Sequence, residues 1–268
     1  CHFAGKICGK GKISAIDLNF FEKFGILLFG ERFAEELSER VFFSKRRGTG
    51  KNDFYEKKGI FCAKTSRGGN RMKFKNGDKI VFAGDSITDA NKLNTNDRLG
   101  EGYVRLIRDA LTAFEPQDRY TIVNAGVSGN TSRDLLARWE QDVTALRPDV
   151  VFCMIGINDV WRHFDGLAEP DALVSEEEYE KNLREICKKA KGCRQFYLIT
   201  PYFMERNRQD EMRMLTEKYA SVMRRVAEEN GVGLLDAQAV FDEYMVARPG
   251  QSIMWDRVHP GAVGSMLL

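Results

Sequence analysis

Short apolar runs alternate with stretches of helical periodicity from about residue 78 to residue 248. Lys79-Ile80-Val81-Phe82-Ala83, Tyr120-Thr121-Ile122-Val123, Asp149 to Met154, Gln195 to Thr200 and Val232 to Leu235 are rich in β-branched and aromatic residues. Most of these runs are bounded by Gly, Asn or Pro, which predicts five strands. A first helix opens at Thr131 or Ser132 and sets Leu135, Leu136, Trp139, Val143 and Leu146 on one face. A second opens on the capping-box pattern of Ser175 with Glu178 and carries Tyr179, Leu183, Ile186 and Cys187 at helical spacing. A third places Met212, Leu215, Tyr219, Val222, Met223 and Val226 on one face and ends at Gly231. Parallel strands need a crossover about as long as a helix, so this alternation predicts an α/β fold, a three-layer αβα sandwich around a five-stranded parallel sheet. Ligands in such sheets bind beyond the carboxyl ends of the strands, so residues that follow the first three strands share one rim.

Composition changes this picture at one place. The chain has 268 residues, 43% of them apolar, which is ample for one sizeable core, and a formal net charge of +2, which points to no general affinity for nucleic acid or membrane. The charge is uneven: residues 1 to 71 hold 15 Lys and Arg against 8 Asp and Glu, about +7, and the remainder is about −5. All nine Met, all six Pro and all three Trp lie at or after Met72, whereas ten of the eighteen Phe precede it. The break predicts Met72 as the initiating methionine, with residues 1–71 as upstream sequence read in frame and residues 72–268 as the folded domain. The alternative is a basic extension. Within it, Glu31 to Phe43 fits a short amphipathic helix, and Lys45-Arg46-Arg47 reads as a solvated charge run. Gly48-Thr49-Gly50-Lys51 echoes a phosphate loop, but the first glycine of that motif would fall on Lys45. A last helix is expected from near Gly261, cut short at Leu268.

Six cysteines, Cys1, Cys8, Cys62, Cys153, Cys187 and Cys193, show no C-x-x-C or Cys/His cluster that would hold a metal. Cys153 falls in a strand and Cys187 on an apolar helix face, where a thiol acts as a small apolar residue. The stretch Phe24 to Phe29 is far too short to span a bilayer, and no signal-peptide layout precedes the strand-rich part. A reduced, cytoplasmic protein is expected.

The candidate chemistry sits at strand ends. Gly84-Asp85-Ser86 follows the first strand, where a Gly-flanked turn holds a serine hydroxyl at the rim of the sheet. Of the three histidines, His2, His163 and His259, only His259 beyond the doubtful segment has a carboxylate three residues upstream, in Asp256-Arg257-Val258-His259. Such a carboxylate can hold the imidazole in its proton-accepting tautomer. The second strand leads into Asn124-Ala125-Gly126-Val127-Ser128-Gly129-Asn130 and the third into Ile155-Gly156-Ile157-Asn158-Asp159-Val160-Trp161. Acyl transfer builds charge on the carbonyl oxygen. A backbone N–H beside glycine and an asparagine amide are suitable donors for it.

These four blocks resemble the SGNH hydrolases, or GDSL esterases, named for the serine, glycine, asparagine and histidine they carry. The likeness runs from about Lys73 to the last residue. Gly156 to Arg162, Val127 to Thr131, Arg138-Trp139, Thr200-Pro201-Tyr202 and Trp255 to Pro260 look most like the intracellular acetyl esterases of xylo-oligosaccharides. The resemblance implies a flavodoxin-like sheet and a serine esterase in which Ser86 is the nucleophile, His259 the base and Asp256 its partner. The oxyanion hole would comprise Ser86, Gly126 and Asn158. Asp85, Trp161, Arg162 and Trp255 are candidates for binding substrate, although loop-holding roles suit Asp85 and Asp159 better. Two departures stand out: Asp89 to Gly102, which lines the entrance, is shorter than usual in that branch, and Ser265 stands where those proteins often carry histidine.

The implied activity removes acetyl groups from carbohydrate, with no cofactor, no metal, and neither nucleic acid nor membrane as partner. A homo-oligomer is left open, as relatives commonly assemble. The rival activities are a lysophospholipase or thioesterase acting on lipid acyl chains, and a non-catalytic carbohydrate-binding module on the same scaffold. Trp161, Arg162, Trp255 and Arg257 suit a polar, sugar-bearing alcohol better than a long acyl chain.

Overall fold

The computed structural model describes residues 74–166, 169 and 172–268. The expected break at Met72, the helix from Glu31 to Phe43 and the basic run at Lys45 lie outside the described residues.

The five strands are β1 (Lys79–Gly84), β2 (Thr121–Gly126), β3 (Val150–Met154), β4 (Gln195–Ile199) and β5 (Gly233–Leu235). All pair in parallel in the order β2-β1-β3-β4-β5. This is the doubly wound order, in which the chain moves outward from β1 to β2 and then crosses back to β3. The crevice opens where the winding reverses, at the carboxyl ends of β1 and β3. β1 and β3 are buried over nearly their whole length, which is why their sequences read as continuous apolar runs.

Alternate strand residues serve opposite layers. On one face Phe82, Phe152 and Tyr197 stack in a row with ring centroids 5.0 Å apart, and Phe82 also meets Tyr103 edge-on at 5.7 Å. Tyr103 opens α2 (Tyr103–Phe114), which follows the short α1 (Ser86–Asp89). On the other face Val81, Ala83, Val151, Cys153 and Leu198 pack with α3 (Ser132–Asp142), α5 (Glu176–Lys189) and α6 (Glu211–Asn230) through Leu135, Trp139, Leu183, Ile186 and Val222. Burial of each large apolar side chain contributes about 1.5–3 kcal/mol, so these two layers supply most of the drive to fold. The remaining helices are α4 (Ile157–Trp161), α7 (Ala237–Ala247) and α8 (Ala262–Leu267). No described helix is long and apolar enough to cross a membrane.

Two local expectations change. Thr131 begins α3 with a full capping box: its hydroxyl accepts from the Asp134 amide while the Asp134 carboxylate accepts from the Thr131 amide. At Ser175 only half of the box forms, because the Glu178 carboxylate turns away to a bidentate pair with Arg133 at 2.6 and 2.7 Å. Helix α3 also stops at Asp142, earlier than its apolar periodicity suggests. A tight 3-10 turn from Thr144 to Leu146 continues it and keeps Val143 and Leu146 against the same core.

Candidate active site

Ser86 is the first residue of α1, directly beyond β1. The turn exists because the Asp85 side chain accepts from the Ile87 amide at 3.0 Å and caps the helix. The Ser86 hydroxyl faces His259, with Oγ 2.7 Å from Nε2. On the far side of the imidazole, Nδ1 lies 2.6 Å from Asp256 Oδ2, while Asp256 Oδ1 accepts from the amides of Val258 (3.0 Å) and His259 (2.8 Å). An ionised carboxylate only accepts, so Nδ1 carries the proton and Nε2 is left to accept from Ser86. Burial alone would raise the Asp256 carboxyl, but the His259 ring and these two amides outweigh it and hold the group below its ordinary value.

The segment that carries Asp256 and His259 is docked on the loop after β4. The Tyr202 hydroxyl donates to the Val258 carbonyl at 2.8 Å, and the Met204 amide donates to the Arg257 carbonyl at 2.9 Å. Arg257 has a left-handed φ of 65°, lies 4.6 Å over the Phe203 ring and pairs with Glu205 at 2.7 Å. These contacts allow a residue with a side chain to hold a conformation that favours glycine.

Ser86, His259, Asn158, Trp161 and Arg162 all line one cleft of about 810 Å³, together with Ser128, Gly129, Asn91, Glu101 and Asp165. The Trp161 and His259 rings lie 5.8 Å apart. Arg162 pairs with Asp165 at 2.6 Å on the wall. Asn158 donates from Nδ2 to the Asn130 carbonyl at 3.0 Å, which orients its amide and leaves it a second N–H.

Three expected site residues are not in the cleft. Asp85 is 0% exposed, and burial pushes its carboxyl up to about 7. It holds the turn and cannot touch substrate. Trp255 is 86% exposed and is absent from the lining, because the chain turns Asp256 inward and its neighbour outward. Gly126 is the last residue of β2 rather than part of the loop, and its amide already donates to Asn124 Oδ1 at 3.0 Å. A Cβ there would stand 2.3 Å from the Asp89 amide nitrogen, so glycine is needed for packing. The glycine of this block that reaches the cleft is Gly129, with φ of 82°.

Sequence reading also passes over Asn124. Its amide donates to the carbonyls of Thr88 (2.7 Å) and Leu99 (2.8 Å) and so ties α1 and the entrance loop to β2. Asp159 is buried and binds the Ser132 amide at 2.9 and 3.0 Å, so that it fastens α4 to the start of α3. Its carboxyl is pushed up to about 6 by burial. His163 Nε2 lies 3.3 Å from the Val174 carbonyl and does not line the cleft.

Fold and cleft together define a carboxylic ester hydrolase built on a doubly wound αβα sandwich. The chain belongs to the GDSL-like Lipase/Acylhydrolase family, whose family model matches residues 82–267. An acetylxylan esterase from Geobacillus stearothermophilus is 41% identical over 203 residues, which are 74% of this chain and 93% of that protein. The crystal structure of that species' acetylxylan esterase Axe2 matches with a TM-score of 0.70 at 41% identity and covers 73% of this chain and 92% of its own. Solved variants of Axe2 described as catalytic mutants replace a serine, an aspartate and a histidine by alanine. LAE5, an alpha/beta hydrolase enzyme from the metagenome of Lake Arreo, Spain, matches with a TM-score of 0.69 at 45% identity, covering 72% of this chain and 92% of its own.

Proposed function

We propose that this esterase removes acetyl groups from xylo-oligosaccharides through an acyl-enzyme formed on Ser86. The observation that carries the reading is the continuous contact from Asp256 through His259 to the Ser86 hydroxyl, 2.6 and 2.7 Å, opening into the cleft. A serine, an aspartate and a histidine are also what the catalytic mutants of the relative lack.

Ser86 Oγ attacks the acetyl carbonyl and passes its proton to His259 Nε2, while Asp256 stabilises the imidazolium. The oxyanion is held by the amides of Ser86 and Gly129 and by Asn158 Nδ2, with Gly129 rather than Gly126 as the glycine donor. The imidazolium then protonates the leaving sugar oxygen as its bond to the acetyl carbon breaks. Water repeats the sequence on the acyl-serine, releasing acetate and returning the proton to the enzyme. The wall of Asn91, Glu101, Ser128, Arg162 and Asp165 offers hydrogen bonds to hydroxyls, and Trp161 offers a ring face to a sugar. A long acyl chain would need an apolar trough instead.

The test measures acetate release from acetylated xylo-oligosaccharides beside fatty-acid release from a long-chain ester, for the parent and Ser86→Ala. Acetate release that disappears in the variant is expected. Release from the long-chain ester alone would keep the serine chemistry and overturn the substrate. A folded parent that releases neither product would leave the binding-module reading.

A further inference from the structure

We propose that Arg138 is a positioning residue that sets the spacing of the three oxyanion donors, an inference that rests on the assignment of Ser86, Gly129 and Asn158 above. Arg138 lies on α3, outside the cleft lining, with its side chain 17% exposed. Its guanidinium makes four hydrogen bonds in four directions. Nε donates to Asn130 Oδ1 at 2.6 Å, Nη1 to the Ala125 carbonyl and to Asp142 Oδ2, both at 2.9 Å, and Nη2 to the Gly84 carbonyl at 2.9 Å.

The acceptors are the supports of the proposed hole. Gly84 ends β1 two residues before Ser86, and its carbonyl also accepts from the Val127 amide at 3.0 Å. Ala125 and Asn130 bracket the loop that presents Gly129. The Asn130 carbonyl in turn receives Asn158 Nδ2 at 3.0 Å. One rigid planar group therefore links the end of β1, the end of β2 and, through Asn130, the amide at the end of β3. Asp142 one turn along α3 fixes the guanidinium in its plane.

Only arginine can do this, because its five N–H groups lie in a fixed fork, whereas a lysine ammonium is a single point of charge on a flexible stem. Catalysis by oriented donors depends on their position in the transition state, and a misplacement of about 1 Å from a change outside the chemistry can cost about 100-fold in rate. Ground-state binding of the sugar uses other parts of the cleft. The signature of the role is thus a fall in kcat with little change in KM.

The experiment is a double-mutant cycle on acetate release, read as kcat and KM, with Arg138→Lys, Asn158→Ala and both together, and with the unfolding midpoint of each recorded. Arg138→Lys is expected to lower kcat about 10- to 100-fold while KM moves less than about 3-fold. In the Asn158→Ala background the same change is expected to cost at least about 3-fold less than in the parent, because one of the three donors it aligns is already gone. Equal losses in both backgrounds, or an unchanged kcat in Arg138→Lys, would overturn the inference. An Asn158→Ala variant with parental kcat would instead overturn the oxyanion hole itself. Should Arg138→Lys fail to fold, Asn130→Ser removes the link to Arg138 and keeps the backbone carbonyl. Asn130→Ser is then expected to lower kcat about 3- to 10-fold at unchanged KM, and parental kcat there would be equally fatal.

Discussion

Asp85 shows how a residue beside the nucleophile can matter without touching substrate. Its Oδ1 caps α1, while Oδ2 is buried with no hydrogen-bond partner among the described residues. Burial raises the carboxyl from 3.8 to about 7, so the folded state holds a proton that the unfolded chain releases. Below pH 3.8 the group is protonated in both states and costs nothing. As pH rises through the interval to 7, the unfolded state loses its proton first and stability falls, with the full cost present above 7. Asp85→Asn keeps an oxygen for the Ile87 amide and does not titrate. Its stability relative to the parent is expected to improve between pH 4 and 7.5 by an amount on the order of a few kcal/mol, measured by urea unfolding at each pH. A difference that is flat across that range would refute the assignment. The loop-holding role was legible in the sequence, but the burial of Oδ2 was not, because nothing in Gly84-Asp85-Ser86 shows how deep the turn sits.

The elements explain why the four blocks were legible and why one glycine was not. Apolar runs and their stops locate the strands, and three strand ends with a fourth block near the chain's last residues place Ser86, Asn158 and His259 together. The second block holds two glycines, and the choice between them depends on where β2 ends. Asn124-Ala125-Gly126 lacks the β-branched residues that mark a strand, so the pattern stops at Val123. The ladder nevertheless continues through pairing of Gly126 with Gly84. Trp255 was misplaced for a related reason: proximity to Asp256 in sequence does not fix which way a side chain turns. Substitution separates the two glycines. Gly126→Ala drives a Cβ into backbone and is expected to abolish folding or lower stability by several kcal/mol, on the order of the largest point-mutant effects. Gly129→Ala meets nothing closer than Arg162 Nη2 at 3.6 Å, so its cost is the left-handed φ alone, about 1–2 kcal/mol. Thermal unfolding of the two variants side by side checks this, and equal losses would contradict the geometry.

On the scale of the whole domain, the sheet divides its labour. The carboxyl ends of β1, β2 and β3 carry the serine, glycine and asparagine blocks, and the loop after β4 carries none. That loop instead docks the segment from Asp256 to His259 through the Tyr202 hydroxyl, the Met204 amide and the Arg257–Glu205 pair. The nucleophile thus follows directly on a core strand, while its base lies on a segment anchored by the buried Val258 and Met254 together with these few polar contacts. Local opening with a free energy well below that of global unfolding is the general behaviour of segments held in this way. On heating, then, the histidine is expected to detach while the sheet is intact. Residual esterase activity should fall at a temperature several degrees below the loss of circular dichroism, and coincident curves would show that the segment melts with the rest. Tyr202→Phe removes the hydroxyl that donates to the Val258 carbonyl and keeps the ring on Phe241 at 4.3 Å. That one hydrogen bond is worth about 1 kcal/mol, enough to widen the gap. The fastening at Tyr202 would then decide the enzyme's working life in warm surroundings more than the core does, and thermal tolerance could be raised at this one latch without repacking the interior.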